Sequence, residues 1–304
     1  MLDYIKETDR LQSIFLEVLE DTSKKELLLY LLCYVQLVRK EGNITVGLDQ
    51  FLRCASKNFI TNRNSWKDVL AEMNIFTITD LYGNAYTGKD IYRIDEREFY
   101  FMRIDQKYCR NVNLLSSKAI KYWGVVNKIS HYGRSVTPYD AVYASAIMFN
   151  EELYEELEGY CEFQKERFKK ESAFFEALIS LSLAYRHYSR QKHEQAISYI
   201  SDGIKKLTPL GDVYYNINLG KFRSHLSKLL KRLQKGKTIE SVKIEFVSRG
   251  DSKEPFWKRF LSHVKGILRG LKGGKRWTLT SSEMVCYYSI EACLKRQINS
   301  PKES

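Results

Sequence analysis

Apolar residues recur every three or four positions through most of residues 136–236, which is the spacing of one face of an α-helix. Two of these stripes consist of Phe175, Leu178, Ile179, Ser182 and Tyr185, and of Phe222, Leu226, Leu229, Leu230 and Leu233. Because each stripe must be covered by another element, the pattern predicts helices that pack on one another with short loops. We therefore predict a four-helix domain over residues 136–236.

The first 105 residues follow a different order. After two amphipathic helices, the pattern predicts a short helix at Thr45–Ser56, a polar turn and a second helix at Asn64–Phe76. Two β-like runs, FTITDLY and DIYRID, flank a glycine-containing turn. A further strand is predicted at residues 97–105. Helix, turn, helix and hairpin is the order of a winged helix-turn-helix, so residues 1–105 are predicted to form a winged-helix-like domain.

The winged-helix order points to candidate nucleic-acid contacts. In that motif the second short helix enters the major groove and the hairpin touches the backbone. The candidate donors are Asn62, Arg63, Asn64 and Lys67 at the helix, and Lys89 near the hairpin tip. The same helix carries Asp68 and Glu72, which a phosphate would repel. Winged-helix folds also bind proteins, so a protein-interaction adaptor remains an alternative.

The charge of the chain favours an anionic partner. Its 49 Lys and Arg residues against 37 Asp and Glu give a formal net charge of +12, with a pI near 9.2. Nucleic acid is the first candidate partner and an anionic membrane surface the second. Residues 106–135 are predicted to be a basic connector that contains a helix from Ser117 to Lys128.

The C-terminal part, residues 237–304, holds the densest positive charge. A strand is predicted at Ser241–Val247, then a basic amphipathic helix that begins at Pro255, then a terminal helix. Its candidate phosphate contacts are Lys258, Arg259, Lys265, Arg269, Lys272, Lys275 and Arg276. Such a helix can dock on the fold and present cations, lie on an anionic membrane, or bind a partner.

Other features narrow the class of protein. The six cysteines form no C-x-x-C pair, which favours free thiols in a reducing compartment over disulfides or zinc. No run of 18 or more apolar residues is present, and the polar N-terminus does not resemble a secretory signal. We therefore expect a cytoplasmic protein with no cofactor and no metal.

The segment Ala184–Ile200 raises the possibility of catalysis. Arg186 and His193 match the R-x(4–6)-H spacing of a class of helical ribonucleases, in which Arg stabilises phosphoryl charge and His transfers a proton. An unbroken helix would place both residues on one face.

Part of the helical region resembles a known family. The matching residues are Phe149, Asn150, Tyr154, Glu156, Glu162, His187 and Ala196, and they are similar to the motif of the small all-α family called domain of unknown function 309. The resemblance covers about residues 138–235 and implies a fold, since that family has no established biochemical role. The turn of the family's motif falls on Gln191-Lys192, so the resemblance also implies a helix boundary there, which would put His193 at the start of the next helix. The His-Glu pair of the motif is replaced by Glu158-Gly159. Glu155, Glu156, Glu158 and Glu162 form either a solvated acidic face or a divalent-ion site.

These observations predict a mainly α protein with a winged-helix-like domain, a helical domain and a basic C-terminal segment. The leading hypothesis is a non-enzymatic nucleic-acid-binding protein that binds DNA or RNA mainly through phosphate contacts. The alternatives are a helical ribonuclease that uses Arg186 and His193, a protein-interaction adaptor and a peripheral membrane protein. A homodimer through the helical domain is a possible assembly.

Overall fold

The computed structural model describes residues 10–58, 65–95, 98–106, 108, 111–129, 135–238 and 240–247. Over these residues the chain is mainly helical with a small antiparallel sheet, which confirms the predicted mainly α class. The predicted donors Asn62, Arg63 and Asn64 lie outside the described residues. So does the predicted basic C-terminal helix with all seven of its candidate cations.

The elements follow one another closely along the chain. The helices are α1 (Arg10–Glu20), α2 (Lys25–Glu41), α3 (Leu48–Asn58), α4 (Trp66–Met73), α5 (Val112–Lys128), α6 (Pro138–Asn150), α7 (Tyr154–Arg167), α8 (Ser172–Ser189), α9 (His193–Leu207) and α10 (Leu219–Gln234). The strands are β1 (Val46–Gly47), β2 (Phe76–Asp80), β3 (Ala85–Tyr86), β4 (Tyr100–Ile104), β5 (Val213–Tyr214) and β6 (Ile217–Asn218).

The N-terminal sheet has the strand order β1-β4-β2-β3, and all its pairs are antiparallel. The predicted strand in residues 97–105 is confirmed as β4, which pairs with β2 along its whole length. The prediction of a strand at DIYRID was wrong, because residues Gly88–Arg93 form a 3-10 helix. Three residues complete a turn of that helix, so the buried side chains of Ile91 and Ile94 lie on one side.

Two helix starts differ from the predictions. The helix predicted from Thr45 begins at Leu48, because Val46 and Gly47 pair with Met102 and Phe101 as strand β1. Helix α5 begins five residues before the predicted Ser117, at Val112. The reason is Asn111, whose side-chain oxygen accepts hydrogen bonds from the N–H groups of the first turn.

The helical region contains five helices, α6 to α10, where four were predicted. The extra break falls between α6 and α7, where Glu152 adopts a left-handed backbone with a φ of 61°. The N–H of Leu153 then donates to the carbonyl of Met148, which closes α6. Helix α6 begins as expected at Pro138, with Thr137 and Asp140 forming a reciprocal capping box.

The chain leaves α10 and returns along the bundle as an extended segment, Ser241–Val247, which we call the strap. Its alternation was predicted correctly, because Ile244 is buried and Lys243 and Glu245 are exposed. The strap forms a single antiparallel bridge, between Phe246 and Ile217 of β6. Three of its backbone groups bond to side chains of α6 and α8, and two more bond to backbone groups of Asn216 and Asn218.

One apolar core runs through the described residues, from Leu11 of α1 to Ile244 of the strap. Helix α5 lies inside this core, since the ring of Tyr122 stacks on Phe15 of α1 with their centroids 4.1 Å apart. The predicted basic connector is therefore a core element that joins the N-terminal sheet region to the helical region.

Candidate nucleic-acid interface

Helix α10 lies in a basic segment that is free of acidic residues. Residues 213–239 contain no Asp or Glu, and seven cations: Lys221, Arg223, Lys228, Lys231, Arg232, Lys235 and Lys237. The buried stripe of α10 consists of Leu219, Phe222, Leu226, Leu229 and Leu233. Since one side of the helix is apolar and buried, the charged residues must occupy the other side.

Five of these cations form what we call the α10 basic face: Lys228, Lys231, Arg232, Lys235 and Lys237. All five are exposed, and none has an ion-pair partner among the residues the structure describes. The other two cations are neutralised, because Lys221 pairs with Glu245 of the strap and Arg223 with Asp212. From Lys228 to Lys235 the helix rises about 10 Å, so the basic face presents a short row of positive charge.

The end of α10 is well defined by its backbone. Gly236 has a φ of 67°, and the N–H of Lys237 donates to the carbonyl of Arg232 at 3.1 Å. This is a Schellman motif, which ends a helix with a residue in the left-handed region. The cations of the last turn also lie at the negative end of the helix dipole, which stabilises their charge.

The turn between α8 and α9 adds two cations at the same end of the bundle. Ala184 of α8, Ala196 and Ile200 of α9, and Leu229 and Leu233 of α10 form one apolar cluster. The turn that joins α8 to α9 therefore lies beside the last turns of α10. Its exposed residues include Arg190 and Lys192, with the exposed carboxylate of Glu194 as the nearest opposite charge in sequence.

The residues predicted on the second helix of the winged-helix order have other partners. Lys67 is half-buried, and its ammonium donates to the carbonyl of Ile94 at 2.8 Å while lying over the ring of Trp66. The hydroxyl of Tyr92 donates to Asp68, and this hydrogen bond lowers the pKa of that carboxyl. The exposed charges of the described α4 are thus the acids Asp68 and Glu72.

Lys89 lies where the prediction placed it, exposed on the 3-10 helix that follows β3. Its neighbours in that helix, Asp90 and Arg93, form an exposed ion pair with each other at 3.3 Å. One cation beside a neutral pair supplies a single phosphate contact at most.

Arg186 and His193 are separated by the predicted helix boundary. Helix α8 ends at Ser189, and Gln191 takes a left-handed φ of 61° before α9 begins at His193. The guanidinium of Arg186 forms an ion pair with Glu158 of α7. His193 is exposed and its ring lies edge-on to Tyr188, with the centroids 5.4 Å apart.

The carboxylates of α7 are each matched to a cation or a hydroxyl. Glu156 is buried and accepts from the hydroxyl of Tyr122 at 2.6 Å and from Lys118 at 2.8 Å. Glu155 and Glu158 face Arg186, and Glu162 pairs with Lys165. Within the described residues, no group of three or more His, Cys, Asp or Glu side chains has the arrangement of a metal site.

The cations on α10 were predicted only as part of the four-helix domain and not as a binding surface, although residues 213–239 contain no Asp or Glu. Sequence alone does not show which of them lack a carboxylate partner. Among the helices that the structure describes, none is both long enough and apolar enough to cross a membrane.

Comparison with known proteins identifies one full-length relative. No protein-family model matches the sequence, and no solved structure matches it. An uncharacterized protein of Aquifex aeolicus (strain VF5) is 34% identical over 296 residues, which cover 97% of this chain and 94% of that protein. The chain therefore belongs to the same family as this Aquifex aeolicus protein.

Proposed function

We propose that the protein is a non-enzymatic nucleic-acid-binding protein that binds mainly through phosphate contacts. The observation that carries the proposal is the α10 basic face, with five exposed cations and no ion-pair partner among the described residues. Unpaired cations on a folded surface are costly to keep close together, since like charges repel one another. A polyanion relieves that repulsion and releases its own counterions on binding.

The shape of the α10 basic face suits a phosphate backbone. Lys231, Arg232 and Lys235 follow Lys228 by three, four and seven positions. All four side chains therefore project from one side of the helix. Arg190 and Lys192 extend the positive surface across the α8–α9 turn. Contacts of this kind fix the position of a nucleic acid without reading its bases. We therefore expect the protein to show little sequence preference.

We also propose that the N-terminal region is a winged helix. The order α2, β1, α3, α4, β2, β3, β4, with β4 between β1 and β2 in the sheet, supports this assignment. The exposed carboxylate of Asp68 would oppose entry of the described part of α4 into a groove, whereas Glu72 is paired with Lys24 at 2.8 Å. We therefore assign the main phosphate contacts to α10, with Lys89, Asn62, Arg63 and Asn64 as secondary contacts.

The test is a salt titration with a matched pair of variants. The first variant replaces Lys228, Lys231, Arg232 and Lys235 by Gln, which keeps helix propensity. The control removes the same charge elsewhere, by replacing Lys40, Arg53, Lys169 and Lys170 with Gln. Fluorescence anisotropy with labelled duplex DNA, duplex RNA and single strands is recorded from about 50 to 200 mM salt.

We expect the logarithm of the wild-type binding constant to fall linearly with the logarithm of salt concentration. If all four α10 cations contact phosphates of a duplex, their removal should reduce the slope by about 3 to 4, and the control should change it much less. Absent or salt-independent wild-type binding would overturn the proposed function. Equal losses in both variants would overturn α10 as the interface.

A further inference from the structure

The sheet β1-β4-β2-β3 has one face in the core and one open face. Along β4 the side chains of Tyr100, Met102 and Ile104 are buried, whereas Phe101 and Arg103 between them are exposed. Phe99 continues the same alternation before the strand begins. Phe99 is 72% exposed and Phe101 is 42% exposed, so two aromatic rings lie on the open face.

The neighbours of Phe101 leave its ring accessible. Across the sheet, Phe101 pairs with Gly47 of β1 on one side and with Thr79 of β2 on the other. A glycine and a threonine are too small to cover a phenyl ring. Phe99 and Phe101 are two residues apart on one face of an extended chain, which separates their Cα atoms by about 6.6 Å.

Polar groups are interleaved with the two rings. Arg103 follows Phe101 on the same face and pairs across the sheet with Thr77. The carboxylate of Glu98, next to Phe99, accepts a hydrogen bond from the hydroxyl of Tyr100 at 3.1 Å. The two rings are therefore bordered by the hydroxyls of Thr77 and Thr79, the guanidinium of Arg103 and the carboxylate of Glu98. A cation beside exposed rings is the combination that binds single strands, in which bases stack on the rings and the cation contacts the phosphate backbone.

We infer that this open face is a stacking platform for the bases of a single-stranded nucleic acid, with Phe99 and Phe101 as stacking rings and Arg103 as the cation beside them. Exposed aromatic rings on an antiparallel sheet accept unpaired bases, because every base offers a π-face. The bases of a duplex are stacked within it and cannot reach the rings. The inference rests on the proposed function and adds to it a second surface that binds single strands.

The experiment measures base stacking directly. A labelled oligo-dT and an oligo-U of equal length report affinity by anisotropy, and a strand that contains 2-aminopurine reports stacking by its fluorescence. The variants are Phe99→Ala/Phe101→Ala, Phe101→Leu and Phe101→Tyr in the full-length protein. Tyr139→Ala is the matched control, because Tyr139 is also 42% exposed but lies on α6.

We expect the double alanine variant to lose about tenfold or more in single-strand affinity and to lose the 2-aminopurine signal. Phe101→Tyr should retain both, because it keeps the ring, while Phe101→Leu should lose them although it remains apolar. Duplex binding and its salt slope should not change in any of the three. The circular-dichroism melting curves of all variants should match that of the wild type, since both rings lie outside the core.

Three results would contradict the platform. Unchanged single-strand binding by the double alanine variant, with a reduced salt slope for the α10 variant, would remove the platform and leave the proposed function standing. Wild-type affinity in Phe101→Leu would indicate an apolar protein-docking face instead of base stacking. Absence of all nucleic-acid binding by the wild type would overturn both proposals together.

Discussion

The side-chain amide of Asn150 forms two hydrogen bonds with the backbone of Ile244. Its Nδ2 donates to the carbonyl oxygen at 2.8 Å, and its Oδ1 accepts from the N–H at 2.7 Å. Ile244 is buried, so both of its backbone groups depend on this amide in place of a neighbouring strand. Asn150 at the end of α6 thereby fixes the middle of the strap.

Replacing Asn150 by Ala should lower the free energy of unfolding by about 2 kcal/mol, because two buried backbone groups lose their partners. Urea unfolding followed by circular dichroism measures this change. Asn113→Ala serves as the control, since Asn113 is exposed in the first turn of α5, and should change stability by less than about 0.5 kcal/mol. Equal midpoints for the wild type and Asn150→Ala would show that the amide does not hold the strap.

Gln191 occupies a backbone position that suits glycine. Its φ is 61°, and the N–H of Lys192 donates to the carbonyl of His187 at 2.9 Å, which is the bond that closes a Schellman motif. A side chain in the left-handed region is strained, so Gln191→Gly should raise the free energy of unfolding by about 0.5 to 1 kcal/mol. Thermal or urea unfolding of the purified variant measures the gain.

The end of α10 supplies the reciprocal control for that prediction. Gly236 closes the same motif with a φ of 67°, and no atom lies near the position that a Cβ would take. Gly236→Ala should therefore destabilise by about 1 kcal/mol through backbone strain alone. If Gln191→Gly is less stable than the wild type, the contacts of the glutamine side chain stabilise the protein by more than the strained backbone destabilises it.

The boundary between α8 and α9 was predicted from the family resemblance, whose turn falls on Gln191-Lys192, and local signals agree with it. The apolar stripe of α8 ends near Tyr185 and a new stripe begins at Ala196, so a turn had to lie between them. The break between α6 and α7 has no such signal. Glu152 takes the left-handed conformation without Gly or Pro nearby, and tertiary packing of the two helices fixes it.

The structure of the segment between β3 and β4 also could not be predicted from local sequence. The run that contains Ile91 and Ile94 fits both a strand and a 3-10 helix, and pairing of β2 with the more distant β4 decided between them. The α10 basic face could be predicted from the sequence only in part. Its lysines are plain in the sequence, but only the structure shows that Glu245 neutralises Lys221 and that none of the described carboxylates pairs with Lys228.

The buried carboxylate of Glu156 gives a test of the junction between α5 and α7. Only 2% of this side chain is exposed, and it accepts from Tyr122 and Lys118. Glu156→Gln keeps an acceptor for Tyr122 but removes the carboxylate that pairs with Lys118. Stability should therefore fall by about 1 to 2 kcal/mol, a modest loss because Lys118 is partly hydrated.

The matched variant is Glu162→Gln, which breaks the partly exposed pair with Lys165 on the same helix. That pair should contribute about 0.5 kcal/mol or less. Chemical denaturation of both variants measures the contrast. A larger loss from Glu162→Gln than from Glu156→Gln would contradict the assignment of Glu156 as the buried partner at the junction.

Cys161 should be inert while the protein is folded. Burial raises the pKa of its thiol to about 12, and the Sγ donates to the hydroxyl of Ser145 at 3.6 Å. The thiolate is the reactive form, and at pH 8 only about one part in ten thousand of such a thiol is ionised. Mass spectrometry after alkylation at pH 8 should find Cys161 unmodified in the native protein and modified in urea. Rapid native modification would contradict its burial.

Arg186 and His193 should act as structural and surface residues, respectively. Arg186→Ala removes the partner of Glu158, so it should lower stability by about 1 kcal/mol, whereas His193→Ala alters an exposed ring and should change stability little. Any RNA cleavage by the purified protein should be the same in the wild type and both variants. Catalytic residues that act as a unit lose activity together. A parallel loss of cleavage in Arg186→Ala and His193→Ala, with stability unchanged, would therefore restore the ribonuclease hypothesis.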